Sequence, residues 1–175
     1  MIVGFSISTV TGVTATLLHL FNHALMKGAI FLALAAVVFR VGNVELHHFR
    51  GLGRQMPLTM AAMVIGGLSL IGVPLTVGFV SKWYLLVALI EQGWWPVAIL
   101  ILLGSMLAVI YVWRVVEVAY FQAPLSHSPA VKEAPMSFLI PMWTLIIANI
   151  YFGIDTRLSV QVAEAAAQSL FGVSP

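Results

Sequence analysis

Four long apolar segments, separated by short polar loops, account for most of the chain: residues 13–41, 57–92, 94–121 and 136–153. A helix that crosses a bilayer needs about 17–25 predominantly apolar residues, and each segment reaches that length. Residues 1–11 are apolar but shorter, and they predict only the last half of a helix. The pattern lacks the two-residue alternation of a membrane β-barrel. It therefore predicts an all-α integral membrane protein in which all 175 residues form one membrane domain.

Glycine and proline interrupt segment 57–92 in its middle, at Gly72, Pro74 and Gly78. A single straight helix of roughly 36 residues would measure about 54 Å, well beyond a hydrocarbon core of about 30 Å. The segment is therefore one discontinuous span or two very short ones, and we favour the discontinuous span, which makes about four transmembrane helices. Pro74 offers no amide hydrogen, so carbonyl groups near Leu70 need another partner inside the membrane.

Residues 157–171 have a different, amphipathic pattern after a possible helix cap at Asp155 and Thr156. Polar residues, Glu164 among them, occupy the opposite face and are expected to be solvated. The segment predicts an interfacial helix on the membrane surface. Its apolar residues recur every four positions: Leu158, Val162, Ala166 and Leu170.

Segment 94–121 has tryptophans at one end and aromatic residues at the other, as membrane interfaces favour. Arg114 and Glu117 are three residues apart near its end, which predicts an ion pair that reaches the headgroups. In the polar loop that follows, residues 123–135, we expect His127 to be solvated.

Composition supports a membrane protein: hydrophobic residues make up 61% of the chain, charged residues 8%, and the mean hydropathy is +1.05. The net charge of +2 is scattered over the loops, so the sequence offers no basic patch for nucleic acid. Cysteine is absent, which excludes disulfides, thiolate metal sites and thiol redox chemistry.

Polar residues form a stripe along the first long segment. His19, His23 and Lys27 are spaced four residues apart, so a helix places them in line on one face, with Asn22 beside them. Lys27 lies near the middle of the span, where an ammonium group costs about 2.5–3.5 kcal/mol on insertion scales. The stripe indicates a proton or ion path; the alternative is a lysine that is buried in a helix bundle and paired only for packing.

Lys82 follows the break in segment 57–92 by one or two turns. The free carbonyls at the end of the first half-helix carry the negative end of its dipole, and a charged lysine can be held there. In the alternative, Lys82 belongs to a second short helix and extends to a membrane interface.

Basic residues are unevenly distributed between the two ends of the spans. If residues 57–92 are one span, Arg40, Arg50, Arg54 and Lys132 fall on one side and Arg157 on the other. The positive-inside rule then predicts a cytoplasmic first side and a C-terminus outside the cell. If residues 57–92 are two short spans, Lys132 and Arg157 change sides, but the basic residues are still divided four to one. The positive-inside rule therefore does not distinguish one discontinuous span from two short ones.

The chain resembles the antiporter-like membrane subunits shared by respiratory complex I, membrane-bound hydrogenases and Mrp-type cation/proton antiporters. Residues 111–121 look most like the D-type antiporter subunit. Four blocks carry the resemblance: the His19, His23 and Lys27 stripe, Gly51 to Pro57, Gly72-Val73-Pro74, and Gly78 to Lys82.

The resemblance implies which part of the family's fold this chain corresponds to and which partners it has. Family members have about fourteen spans in two inverted repeats, and this chain matches the last part of the second repeat through the C-terminus, as a fragment, a split-gene product or a short subunit. Other membrane subunits and the lipid bilayer are the implied partners, in a prokaryotic inner membrane. Trp83 stands where many members have an acidic residue, which leaves the partner of Lys82 open.

We expect this chain to transfer protons through His19, His23, Lys27 and Lys82, as a subunit of a cation/proton antiporter or a related NADH:quinone oxidoreductase-like complex. We expect no independent catalytic activity and no metal or cofactor. The alternative is a non-conducting structural subunit or truncated remnant. Haem binding is disfavoured because two histidines four residues apart on one helix cannot take opposite axial positions of one haem.

Overall fold

The computed structural model describes residues 1–124 and 131–172, and all regular secondary structure in these ranges is helical. His127 lies outside the described residues. A single 3-10 turn, Leu46–Phe49, precedes α3, and a π-helical turn, Glu117–Phe121, extends α6. The α-helices are α1 (Ile2–Ser6), α2 (Val10–Val41), α3 (Leu52–Gln55), α4 (Pro57–Ile71), α5 (Val77–Glu91), α6 (Trp95–Val116), α7 (Met136–Ile154) and α8 (Arg157–Leu170).

Helix α2 is the central element, and α4, α5, α7 and α8 all pack against it. It begins three residues earlier than predicted, because the Thr9 side chain accepts a hydrogen bond from the Gly12 amide (3.1 Å) and caps the helix. Before it, helix is confined to α1, and Ser8 in the connecting turn has a positive φ of 53°. At its other end, Gly42 adopts the left-handed conformation that terminates many helices.

Within the described ranges, three helices are long and apolar enough to cross a membrane: Val10–Val41, Trp95–Phe121 and Met136–Ile154. Helices α4 and α5 have 15 residues each and are too short individually. Gly66 of α4 lies against Ile30 in the second half of α2, whereas Val77 of α5 accepts a hydrogen bond from Asn22 in the first half. The two short helices therefore follow one another along α2, as in one discontinuous span.

The loops at one end of the bundle are tied together by Glu133. Its backbone carbonyl accepts hydrogen bonds from Arg40 Nε (3.0 Å) and Nη2 (2.6 Å), at the end of α2. Its carboxylate accepts from the Leu58 amide (2.7 Å) and the Thr59 hydroxyl (2.6 Å), in the first turn of α4. Glu133 thus caps α4 through Leu58, 75 positions earlier, and it places the loops after α2 and before α7 at the same end.

The C-terminal helix α8 packs against α2 through small residues. Ala163 and Ala167 are buried, while the larger apolar residues Leu158, Val162 and Leu170 remain exposed. The Arg157 amide donates to Asp155 Oδ1 (3.2 Å), so Asp155 caps the helix and the Thr156 side chain does not. Since close contact between backbones needs small side chains, the alanine face meets the bundle. Leu158 and Val162 line an open groove with Phe21 of α2.

The ion pair predicted in segment 94–121 is present. Arg114 Nη1 lies 3.0 Å from Glu117 Oε2, and both side chains are well exposed. Exposed ion pairs of this kind contribute little to the free energy of unfolding.

Candidate functional site

The break between α4 and α5 is built by the way α4 ends. The Gly72 amide donates to the Ser69 carbonyl (3.0 Å) and the Val73 amide to the Leu68 carbonyl (3.1 Å), which is the Schellman pattern. The next residue, Pro74, has no amide hydrogen. The last two carbonyl groups of α4, those of Leu70 and Ile71, therefore receive no backbone hydrogen bond from the turn.

The ammonium group of Lys82 binds these two carbonyl groups. Its Nζ donates to Leu70 O (2.8 Å), to Ile71 O (2.7 Å) and to the hydroxyl of Ser105 on α6 (2.8 Å). An ammonium group has three donors, so all three are satisfied. The predicted contact of Lys82 with the carboxyl end of the first half-helix is therefore present.

Two glycines make this geometry possible. Gly72 has φ +93°, and a Cβ there would lie 3.0 Å from Lys82 Cδ. A Cβ on Gly78 would overlap the Ser69 carbonyl, and the Gly78 amide donates to the Ser69 hydroxyl (3.3 Å). Gly72 thus combines a left-handed backbone with close approach of the lysine, and Gly78 brings the two half-helices together.

The stripe on α2 faces the same region. His19 Nδ1 lies 3.0 Å from the Ser81 hydroxyl, one residue before Lys82. The His19 and His23 rings are 5.4 Å apart, and His23 Nδ1 is buried without a hydrogen-bond partner among the described residues. His19 therefore links the stripe on α2 to α5, just after the break.

Lys27 is the next member of the stripe and has a different environment. Its Nζ lies 5.5 Å from the centre of the Phe31 ring. No carboxylate in the described ranges lies within 4 Å of it. The ion pair expected for a lysine buried only for packing is thus not found in the part of the chain that the structure describes.

Two adjoining cavities bring the predicted residues together. One, of about 240 Å³, is lined by His19, His23, Lys82 and Ser105. The other, of about 350 Å³, extends from Lys27 to the loop after α2. Leu70 and Tyr111 line both cavities. Since a water molecule takes about 30 Å³ of liquid volume, each cavity has room for several.

Three of the polar residues at this site are not predicted from the sequence. Ser81, Ser105 and Tyr111 sit in apolar runs where a single hydroxyl gives no signal by spacing. Their importance follows from contacts across helices: Ser81 with His19, Ser105 with Lys82, and Tyr111 at the junction of the cavities.

The arrangement suits proton exchange. Imidazole can accept a proton on one nitrogen and release one from the other, and a lysine in apolar surroundings can alternate between charged and neutral forms. No carboxylate is among the described residues that line the two cavities.

These features define a helical membrane protein with a lysine at a helix break, and comparison with known proteins identifies its family. Residues 1–110 match the family described as NADH:quinone oxidoreductase/Mrp antiporter, TM, and the chain belongs to this family. One similar protein is the NADH-quinone oxidoreductase subunit N of Desulforudis audaxviator (strain MP104C), with 34% identity over 88% of this chain and 33% of that protein. Another is the F(420)H(2) dehydrogenase subunit N of Methanosarcina mazei, with 30% identity over 95% of this chain and 35% of that protein.

Solved structures share the fold. The Mrp complex from Dietzia sp. DQ12-45-1b includes a chain with a TM-score of 0.89 at 21% identity, over 96% of this chain and 39% of that one. A chain of the membrane-bound sulfane sulfur reductase, an archaeal respiratory membrane complex, has a TM-score of 0.76 at 34% identity, over 82% of this chain and 24% of that one. The chain spans about a third of the length of the curated relatives it matches. The names of these relatives do not support the resemblance to the D-type subunit.

Proposed function

We propose that this chain transfers protons through His19, His23, Lys27 and Lys82 within a multisubunit membrane complex. One observation carries the proposal: the Lys82 ammonium group is held by two free carbonyls at a helix break, in a cavity that it shares with both histidines. A charge within a membrane-spanning segment costs free energy, and intramembrane ionisable residues commonly mark ion pathways.

The residues have distinct tasks in this mechanism. The carbonyls of Leu70 and Ile71 stabilise the protonated form of Lys82. His19 and His23 receive or supply the proton on the α2 side. Water in the two cavities connects them with Lys27, because the stripe side chains make no direct hydrogen bond to one another in the described ranges. The junction at Leu70 and Tyr111 is the place where the connection can open or close.

Proton flux in the assembled complex tests this proposal. The complex is reconstituted in vesicles that contain a pH-sensitive dye, with Lys27→Ala, Lys82→Ala or the exposed loop variant Lys132→Ala. We expect flux to fall at least about tenfold for Lys27→Ala and Lys82→Ala and to stay unchanged for Lys132→Ala. Unchanged flux in all three variants contradicts the proposal and favours a non-conducting structural subunit.

For the parent complex, the relatives named subunit N favour a redox-driven, complex I-like assembly over the D-type antiporter subunit.

For the orientation in the membrane, Arg40 and Glu133 lie together at the end of the bundle that carries Arg50, Arg54 and Lys132. This clustering favours that end as the cytoplasmic one, in a prokaryotic cell membrane, with the C-terminus outside. Reporter fusions at the C-terminus and in the loop after α2 distinguish the two orientations.

A further inference from the structure

The loop after α2 brings together three side chains that neither the proton path nor the fold uses. Each of Glu45, His47 and His48 offers one ligand atom, and the three atoms lie within 4.8 Å of one another. We propose that these residues form a Zn²⁺ site, with water completing the coordination. The absence of cysteine, from which we expect no metal site, excludes thiolate ligands only, and this ligand set contains none.

The loop backbone holds the three residues in place. Asn43 Oδ1 accepts hydrogen bonds from the amides of Val44 (2.7 Å) and Glu45 (3.0 Å). The His48 amide donates to the Glu45 carbonyl (2.9 Å), and the short 3-10 turn that follows ends at Phe49, which is buried in the core. The candidate ligands therefore stand on an anchored turn rather than on a free loop.

The distances suit zinc. A Zn–N bond of about 2.0–2.1 Å in tetrahedral geometry separates neighbouring ligand atoms by roughly 3.3 Å. His47 Nδ1 already lies 3.2 Å from Glu45 Oε2, and the two imidazole rings are 4.0 Å apart. Rotations of side chains can complete the site, because Glu45 and His47 are exposed.

A second observation supports a ligand. His48 Nδ1 is buried and has no hydrogen-bond partner among the described residues. Buried polar nitrogens nearly always have a partner, and a nitrogen left without one costs free energy. Because a metal-bound imidazole needs a defined tautomer and orientation, a partly buried ring on a short turn is a suitable ligand.

The ligand set selects the class of metal. Two imidazoles and a carboxylate are typical of Zn²⁺ and of other divalent transition ions, whereas Mg²⁺ and Ca²⁺ prefer sites made of oxygen atoms alone. Three protein ligands with an open position match a zinc site that keeps water.

The position of the site links it to the cavity at Lys27. Val44, Leu46 and Phe49, which surround the three ligands in sequence, line the cavity that contains Lys27. A metal bound to Glu45, His47 and His48 would therefore restrain one wall of this cavity. This consequence rests on the proposed function, whereas the metal site itself does not.

Metal binding to the full chain in detergent tests the site directly, with a purification tag that contains no histidine. Co²⁺ alone is titrated and its visible absorption bands recorded, and Zn²⁺ alone is titrated by calorimetry. We expect one ion per chain, displacement of Co²⁺ by Zn²⁺ but not by Mg²⁺, and at least about tenfold weaker binding for Glu45→Gln and His47→Asn. The control Glu91→Gln, an exposed carboxylate at the end of α5, should bind as the wild type does.

Thermal unfolding of the same samples gives a second measure of Zn²⁺ binding and shows whether each variant is folded. Zn²⁺ should raise the unfolding temperature of the wild type and of Glu91→Gln but not that of Glu45→Gln, whose exposed side chain can change without loss of the fold. Absence of binding, or equal binding by Glu45→Gln, overturns the site. Zn²⁺ should also lower proton flux in the reconstituted complex. Binding without any change in flux would leave the site in place and overturn its link to Lys27.

Discussion

The Lys82 ammonium group donates a 2.8 Å hydrogen bond to the hydroxyl of Ser105, which belongs to the neighbouring helix α6. Ser105 in turn donates to the carbonyl of Ile101, one turn earlier (3.2 Å). The hydroxyl thus completes the surroundings of Lys82, together with the two carbonyls of α4. It also ties the helix break to α6, most of whose side chains are exposed.

Removal of this hydroxyl should weaken proton transfer. Ser105→Ala leaves the lysine with two of its three acceptors, and hydrogen bonds to charged groups contribute about 1.5–3 kcal/mol. We expect proton flux of the reconstituted complex to fall roughly tenfold, while Ser105→Thr, which keeps the hydroxyl, retains most of it. Ser169→Ala, on the exposed face of α8, is the matched control. Equal flux for Ser105→Ala and wild type would exclude a positioning role for Ser105.

Replacement of Gly72 should destabilise the protein for two separable reasons. A left-handed backbone costs a non-glycine residue about 1–2 kcal/mol, and an added Cβ at Gly72 also meets Lys82. Gly42 is the matched control, because its φ is +78° and nothing lies within 4 Å of a Cβ there. We expect thermal unfolding in detergent to show a larger loss for Gly72→Ala than for Gly42→Ala. Equal losses would mean that the contact with Lys82 is unimportant.

Glu133 should stabilise the bundle although it lies in a loop. Its carboxylate caps α4 through the Leu58 amide and the Thr59 hydroxyl, so Glu133→Gln should cost about 0.5–2 kcal/mol of unfolding free energy. Glu91→Gln removes an exposed carboxylate that makes no such contact in the described ranges, and it should change the unfolding free energy by only a few tenths of a kcal/mol. Chemical unfolding in detergent measures both variants, and the same result for both would contradict the cap.

The chain expressed alone should not exchange cations for protons. Lys27 faces a cavity without a carboxylate partner in the described ranges, and the apolar face of α6 is exposed along most of its length. We expect the isolated chain to form oligomers, to be degraded or to remain bound to partner subunits, and to give no Na⁺/H⁺ exchange in vesicles. Robust exchange by the purified monomer would contradict both this prediction and the proposed mechanism.

Much of the helical organisation can be predicted from the sequence because lipid imposes strong local requirements. Long apolar runs must be helical to satisfy their backbone groups, and Gly72, Pro74 and Lys82 are recognisable because each violates a rule for an apolar helix. The starts of helices are less predictable: α2 begins at Val10 because Thr9 caps it, and Asp155 caps α8 where Thr156 is an equal candidate in the sequence. Caps depend on side-chain rotamers, which the apolar pattern does not contain.

By itself, the sequence determines that this protein is an all-α membrane protein with a broken segment, and that His19, His23 and Lys27 share one face of a helix. Hydrophobicity and helical periodicity depend on residues that are close in the sequence, so both can be recognised from the sequence alone. Only the tertiary structure decides what those residues meet: Ser81 for His19, the free carbonyls and Ser105 for Lys82, and Glu133 for α4. These partners lie 11 to 75 positions away in the chain, and packing against α2 is what brings them within hydrogen-bond distance.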